Sequence, residues 1–136
     1  MIVEDHDRLR EQLAKFYEQE GYRVATAGSG EAAAERLSKD QFAIVLSDVK
    51  MPGIDGFQLT RHIREKYPQT DVILITAFGN VKDAVEAMKL GASDYITKPF
   101  QPEAIRFVSE KLIEKRRLLE EVRELRQLVR DEYSLE

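Results

Sequence analysis

Short apolar runs alternate with longer stretches in which apolar residues recur at helical spacing. Ile2-Val3 opens the first strand, which is short because Met1 stands almost inside it, as expected of a trimmed or renumbered N-terminus. Leu9, Leu13, Phe16 and Tyr17 then predict a helix stopping at Gly21. Arg23 to Ala27 reads as the second strand, and Ser29 caps a helix carrying Ala32, Ala33 and Leu37. Ala43 to Leu46 is uninterrupted and apolar, as expected of a central parallel strand buried on both faces. A helix after Gly56 presents Phe57, Leu59 and Ile63 and ends before Pro68. Val72 to Ile75 is a fourth strand closing on Thr76. Asn80 caps a helix with Val81, Val85, Met88 and Leu90, ending at Gly91. Tyr95-Ile96 is the fifth strand, and Pro102 suits the first turn of a last helix. Five such units predict an α/β fold: a doubly wound, five-stranded parallel sheet with helices on both faces.

The tail breaks the pattern. From Pro102 to about Arg130 there is neither Gly nor Pro, which predicts one helix of about 40 Å. Ile105, Val108 and Leu112 fit a helix docked on its own domain. Leu118, Val122, Leu125 and Val129, spaced four, three and four, form a heptad seam out of phase with them. Two units are expected: a domain over 1–112, and a helical linker over 113–136 that extends the last helix as a coiled coil.

Composition narrows the function. The chain has 136 residues, 43% hydrophobic and 34% charged, enough for one domain with a real core. Its net charge of −4 argues against a general nucleic-acid binder. Cysteine is absent, which excludes disulfides, thiolate metal sites and cysteine catalysis. No stretch approaches the roughly 20 apolar residues that span a bilayer, so no membrane association and a cytoplasmic location are expected.

The chemistry gathers at strand ends. The run Ile44-Val45-Leu46-Ser47-Asp48 ends on a carboxylate before Pro52-Gly53, placing Asp48 at the carboxyl edge of the sheet, where open α/β folds keep ligand sites. Glu4-Asp5 follows the first strand, Thr76 closes the fourth and Lys98 follows the fifth. Carboxylates beside a lysine suggest a magnesium-assisted phosphoryl site. Asp5 and Asp48 would be direct ligands, Glu4 would act through water, and a backbone carbonyl after Asp48 would complete the set. Asp48 would attack phosphorus, Lys98 would pair with a phosphoryl oxygen, and the Thr76 hydroxyl would donate to another. Taken singly, each acid is as well explained as a turn residue; it is their occurrence with Thr76 and Lys98 that points to a site. Asp55 reads as a turn residue, His62 as a solvated helix residue, and Lys115-Arg116-Arg117 as a solvated face rather than a DNA contact.

Val3-Glu4-Asp5, Ser47-Asp48-Val49-Lys50-Met51-Pro52-Gly53-Ile54-Asp55-Gly56, Ile75-Thr76-Ala77 and Tyr95-Ile96-Thr97-Lys98-Pro99-Phe100 together resemble the receiver domain of bacterial two-component response regulators. The resemblance covers roughly Met1 to Leu112. It implies the flavodoxin-like (CheY-like) fold with strand order 2-1-3-4-5, phosphorylation of Asp48 by a sensor histidine kinase, and Mg²⁺ on Asp5, Asp48 and the Lys50 carbonyl. It implies that Thr76 and Tyr95 are a switch pair and that the Lys98-Pro99 bond is cis. The chain would catalyse only its own phosphorylation and slow dephosphorylation. Bulky Lys50 and Phe78 would flank the phosphoryl position and deny water in-line access.

The stretch from Ala77 to Ala92 is most similar to receivers of sigma-54-dependent, enhancer-binding transcription activators. In that group a helical linker leads to an ATPase domain, so this chain would be an excised regulatory fragment lacking the ATPase and DNA-binding domains. Its output would be dimerisation through the fourth helix, fifth strand and fifth helix together with the C-terminal helix. Two departures stand out: the acidic pair is Glu-Asp rather than Asp-Asp, and His6 follows it, placing an imidazole near the metal site or at the start of the first helix. A dehalogenase-like hydrolase would need a second acid where Lys50 stands. A constitutive dimerisation module with an idle Asp48 is the alternative left open.

Overall fold

The computed structural model describes residues 1–77 and 79–132. The chain divides into two compact units, Met1–Phe100 and Gln101–Glu136. In the first, β1 (Ile2–Val3), β2 (Thr26–Ala27), β3 (Ile44–Asp48), β4 (Asp71–Ala77) and β5 (Asp94–Lys98) alternate with α1 (Asp7–Gln19), α2 (Gly30–Leu37), α3 (Gly56–Lys66) and α4 (Val81–Lys89). All pairings are parallel and the order is β2-β1-β3-β4-β5, as expected. The order reverses beside β1: one crossover runs to β2 on one side and the rest run to β3, β4 and β5 on the other. A crevice therefore opens at the carboxyl ends of β1 and β3.

Strand parity builds the core. Val3, Val45, Val72 and Leu74 share one cluster with Ala33 and Leu37 of α2, Leu59 and Ile63 of α3, and Ala87 of α4. Residues of the other parity, Ile2, Leu46, Ile73 and Ile75, are buried as well, which explains why the central strands read as continuous apolar runs.

The caps follow the sequence. Ser29 Oγ accepts from the Ala32 amide at 3.1 Å and Asn80 Oδ1 from the Asp83 amide at 3.0 Å. Asp55 and Gln58 form a reciprocal capping box at the start of α3, so Asp55 is committed to that helix.

Two elements differ from expectation. The second strand is Thr26–Ala27 rather than Arg23–Ala27, because its partner β1 offers only Ile2 and Val3 for pairing. On α4 the inward face is the small pair Ala84 and Ala87, while Val81, Val85 and Met88 are exposed. Alanines three apart let a helix approach a sheet closely, and the larger apolar residues are left outside.

The second unit contains α5 (Pro102–Glu132), 31 residues in one helix of about 46 Å. Ile105, Val108, Ser109 and Leu112 are buried along it, whereas Leu118, Val122, Leu125 and Val129 are exposed. The change of phase seen in the sequence is a change of burial.

Gly56 is where α3 meets the end of β3. A Cβ there would stand 2.4 Å from the Asp48 carbonyl oxygen and 2.8 Å from the Val49 Cα, both backbone atoms that cannot step aside. Gly56→Ala is expected to lower the urea midpoint, at a cost of about 2 kcal/mol or more, with an unchanged m-value.

Candidate functional site

The parallel register brings four strand ends to one edge. Asp48 is level with Ile75 on β4, Thr76 with Thr97, and Ala77 with Lys98. Val3, beside Ser47, leads directly into Glu4 and Asp5. Lys98 Nζ donates to Asp48 Oδ2 at 2.7 Å and lies 4.0 Å from Glu4 Oε1. The Lys50 amide donates to Asp48 Oδ1 at 3.3 Å, which places the Lys50 backbone against the same carboxylate while its side chain is exposed. Asp48 is almost wholly buried and Glu4 is entirely so.

Arg10, one turn into α1, holds the acidic turn in place: its guanidinium donates to the Glu4 carbonyl at 2.8 Å and to Asp7 Oδ1 at 2.6 Å. On the far side, Glu31 Oε1 accepts the Ile54 amide at 2.6 Å, tying α2 to the loop after Asp48, where Gly53 makes the turn at φ +74°. That amide also lowers the pKa of Glu31. The sequence reading missed both clamps. Nothing in the pattern marks Glu31, and only its spacing of four from His6 marks Arg10.

Among the described residues, four oxygens here are buried without a hydrogen-bond partner: Glu4 Oε1 and Oε2, Asp5 Oδ1 and Thr76 Oγ1. The Lys98 ammonium lies within 4.0 Å of Asp48 and Glu4, and Asp5 adds a third carboxylate, so the pocket carries surplus negative charge. Orphaned carboxylate oxygens at the mouth of a polar cleft fit a hard divalent cation, which takes oxygen ligands and keeps several waters. The Glu4 pKa is raised to about 7, first by burial, then by the negative charge of Asp48 and the hydrogen bond that a protonated Glu4 can give it; Lys98 opposes the shift.

The remaining expected residues fall as follows. Tyr95 is exposed on β5, one strand position before the buried Ile96, and lines a surface hollow with Val81, Val85 and Met88 of α4. His6 serves both readings given to it. It is the N-cap residue of α1, with no side-chain cap bond, and its Nδ1 lies 3.4 Å from Asp5 Oδ1 and 3.5 Å from Glu4 Oε1. Phe78 lies outside the described residues. The Lys98-Pro99 bond is cis. His62 packs edge-on against Tyr67, away from the site. Among the described residues no helix is long and apolar enough to cross a membrane.

A parallel sheet of this order, with acids at the ends of β1 and β3 and a lysine at the end of β5, defines a class. Residues 1–109 match the model of the response regulator receiver domain, and the chain belongs to that family. Response regulator protein FleR of Pseudomonas aeruginosa is 46% identical over 105 residues, 77% of this chain and 22% of FleR. The C4-dicarboxylate transport transcriptional regulatory protein DctD of the same species is 36% identical over 135 residues, 99% of this chain and 29% of DctD. The chain thus spans under a third of either relative. The crystal structure of the receiver domain of NtrX from Brucella abortus superposes with a TM-score of 0.79 at 30% identity, covering 83% of this chain and 96% of that one.

The raised Glu4 pKa has a sign that can be measured. Folded Glu4 holds its proton up to about pH 7, whereas an unfolded glutamate releases it near 4.5. The folded state therefore binds more protons across that window, and stability is lost as pH rises through it. In metal-free protein, Glu4→Gln is expected to remove most of this slope and to stabilise the fold at pH 8 by on the order of 2 kcal/mol. Chemical denaturation at pH 5 and pH 8 in chelator checks it.

Proposed function

We propose that this chain is the phosphoacceptor domain of a two-component response regulator, in which Asp48 takes a phosphoryl group from a phosphohistidine of a sensor kinase. The observation that carries the reading is the Asp48–Lys98 pair at 2.7 Å, set among buried carboxylate and hydroxyl oxygens that have no partner of their own. A structural ion pair would need none of those orphans.

Asp5, Asp48 and the Lys50 backbone carbonyl would hold Mg²⁺, with Glu4 reaching it through water, and the ion supplies the charge that lets a carboxylate approach a phosphoryl group. The remaining work falls to the chain. An Asp48 carboxylate oxygen attacks phosphorus. The P–N bond breaks, and its electron pair stays on the kinase imidazole, which takes a proton from solvent. Lys98 is already in hydrogen-bond contact with Asp48 and follows the new charge by moving its ammonium to a phosphoryl oxygen. The Thr76 hydroxyl, buried without a partner, donates to another oxygen. Its movement makes room for Tyr95 to turn inward from its exposed position.

The product adds about −1.5 to −2 charges at the sheet edge. That charge biases a two-state surface around α4 and β5, where Val81, Val85, Met88 and Tyr95 lie exposed. Dimerisation is the output we assign to it, supported also by the apolar seam exposed on α5. By likeness to the activators named above, the signal passes to an ATPase and a DNA-binding domain in the whole protein, in the manner of sigma-54-dependent activators. The chain turns over no other substrate, contacts no nucleic acid itself and works in the cytoplasm.

Incubated with Mg²⁺ and a small phosphodonor, the chain is expected to gain the mass of one phosphoryl group, and Asp48→Asn to gain none. The acyl phosphate should survive for minutes rather than seconds, since in this reading the bulky Lys50 beside Asp48 restricts the line of water attack. Absence of Mg²⁺-dependent labelling would overturn the assignment.

Sedimentation reads the output. Mg²⁺ with beryllofluoride, a mimic of the aspartyl phosphate, is expected to change the mass or shape of the particle, and Asp48→Ala to abolish the change. A monomer indifferent to beryllofluoride would sink the dimer reading for this chain.

A further inference from the structure

His6 sets a metal-ligating nitrogen beside the carboxylate oxygens of the pocket. A carboxylate oxygen of Glu4, one of Asp5 and a ring nitrogen of His6 lie within 4.8 Å of one another. The nitrogen is Nδ1, 3.4 Å from Asp5 Oδ1 and 3.5 Å from Glu4 Oε1. Two donors bound at about 2.1 Å to a tetrahedral ion stand about 3.4 Å apart. Octahedral magnesium, at about 2.05 Å, would bring adjacent donors to about 2.9 Å. The two nitrogen–oxygen spacings therefore match the tetrahedral case.

Two further features support a cation at this point. Glu4 is entirely buried with both carboxylate oxygens unpartnered, so its charge is aimed at something the protein does not supply. Lys98 is no substitute: it stands 4.0 Å from Glu4 Oε1 and is committed to Asp48 at 2.7 Å. His6, for its part, contributes no side-chain cap to α1 although it occupies the capping position. The imidazole is thus uncommitted to the helix and turned toward the two carboxylates.

The geometry points to a site for a nitrogen-favouring first-row divalent ion of the zinc class, bound by Glu4, Asp5 and His6 with solvent in the fourth position. Imidazole nitrogen suits zinc, whereas magnesium takes oxygen donors, so His6 discriminates between the two ions. Three protein ligands and one open position is the coordination of an exchangeable zinc site. Asp5 would be shared with the magnesium set, so the two ions would compete, and zinc would hold the domain in a form that resists phosphorylation. That last consequence rests on the function proposed above; the binding itself does not.

The test is calorimetric titration of the intact chain with Zn²⁺ alone and with Mg²⁺ alone, repeated on His6→Asn and His62→Asn. Asparagine is a good N-cap residue, so the first variant should keep α1 intact. His6→Asn is expected to weaken Zn²⁺ binding about tenfold or more while leaving Mg²⁺ affinity within about twofold, since even outer-shell losses at metal sites cost that much. His62→Asn should bind Zn²⁺ as the parent does. In NMR spectra, Zn²⁺ should shift the His6 ring signals and leave those of His62 in place. Equal Zn²⁺ affinity in parent and His6→Asn would overturn the proposal, as would an equal loss for both ions or a response centred on His62. Zinc binding in a chain that accepts no phosphoryl group would sink the proposed function and leave this site standing.

Discussion

A buried negative charge with no adequate counter-charge governs the active edge. Glu4, Asp5 and Asp48 converge there, and among the described residues Lys98 is the ammonium that reaches Glu4 and Asp48. Taking a carboxylate out of water costs several kcal/mol unless something repays it. Glu4, buried with both oxygens unpartnered, is left unpaid by the polypeptide. Its raised pKa is one response to that cost, because a proton neutralises what the fold does not. A bound cation is the other. In the function proposed above, an edge poised between the two would receive the phosphoryl group, and the cation would offset its negative charge.

Holding that edge together requires rigidity on three sides. The register of β3, β4 and β5 sets Asp48, Thr76 and Lys98 at one level. Gly56 lets α3 start directly against the Asp48 carbonyl, and the Asp55–Gln58 capping box fixes that start. Arg10 and Glu31 secure the two loops that carry Asp5 and Lys50, each by a hydrogen bond to backbone. Neither clamp touches the reacting atoms. Both act on the backbone from which the site is built, so their contribution is position rather than charge.

The sequence made legible whatever depends on local spacing. The strand-terminal acids, the caps at Ser29 and Asn80 and the Pro102 start of α5 follow from patterns within a few residues of each other, whereas the strand order rested on the family resemblance. What escaped depends on tertiary partners. The second strand begins only at Thr26 because β1 is short, which no property of Arg23 or Val24 announces. The α4 face was hidden because helical spacing alone cannot say whether Val81 and Val85 or Ala84 and Ala87 point inward; close approach to the sheet selects the alanines. Burial divides the acidic pair, Glu4 wholly inside and Asp5 half out, and adjacency in sequence carries no sign of it. The position of His6 beside both acids likewise emerges only when the turn before α1 is folded.

The distal part of α5 presents a different physical problem. Leu118, Leu119, Val122, Leu125, Leu128 and Val129 are all exposed on it. Arg117 bridges Glu114 and Glu121 along the helix, and fully solvent-exposed pairs of this kind add little. A solvent-exposed helix of this length is marginal on local interactions alone, since most helical stability in proteins comes from packing an apolar face. The seam has valine at 122 and 129 alternating with leucine at 118 and 125, the β-branched and leucine arrangement that favours two parallel strands. Pairing with a second copy would give those side chains the burial that the single chain denies them. On that argument the helix is conditional on assembly, and any signal that changes how two copies approach each other acts on the stability of the linker itself.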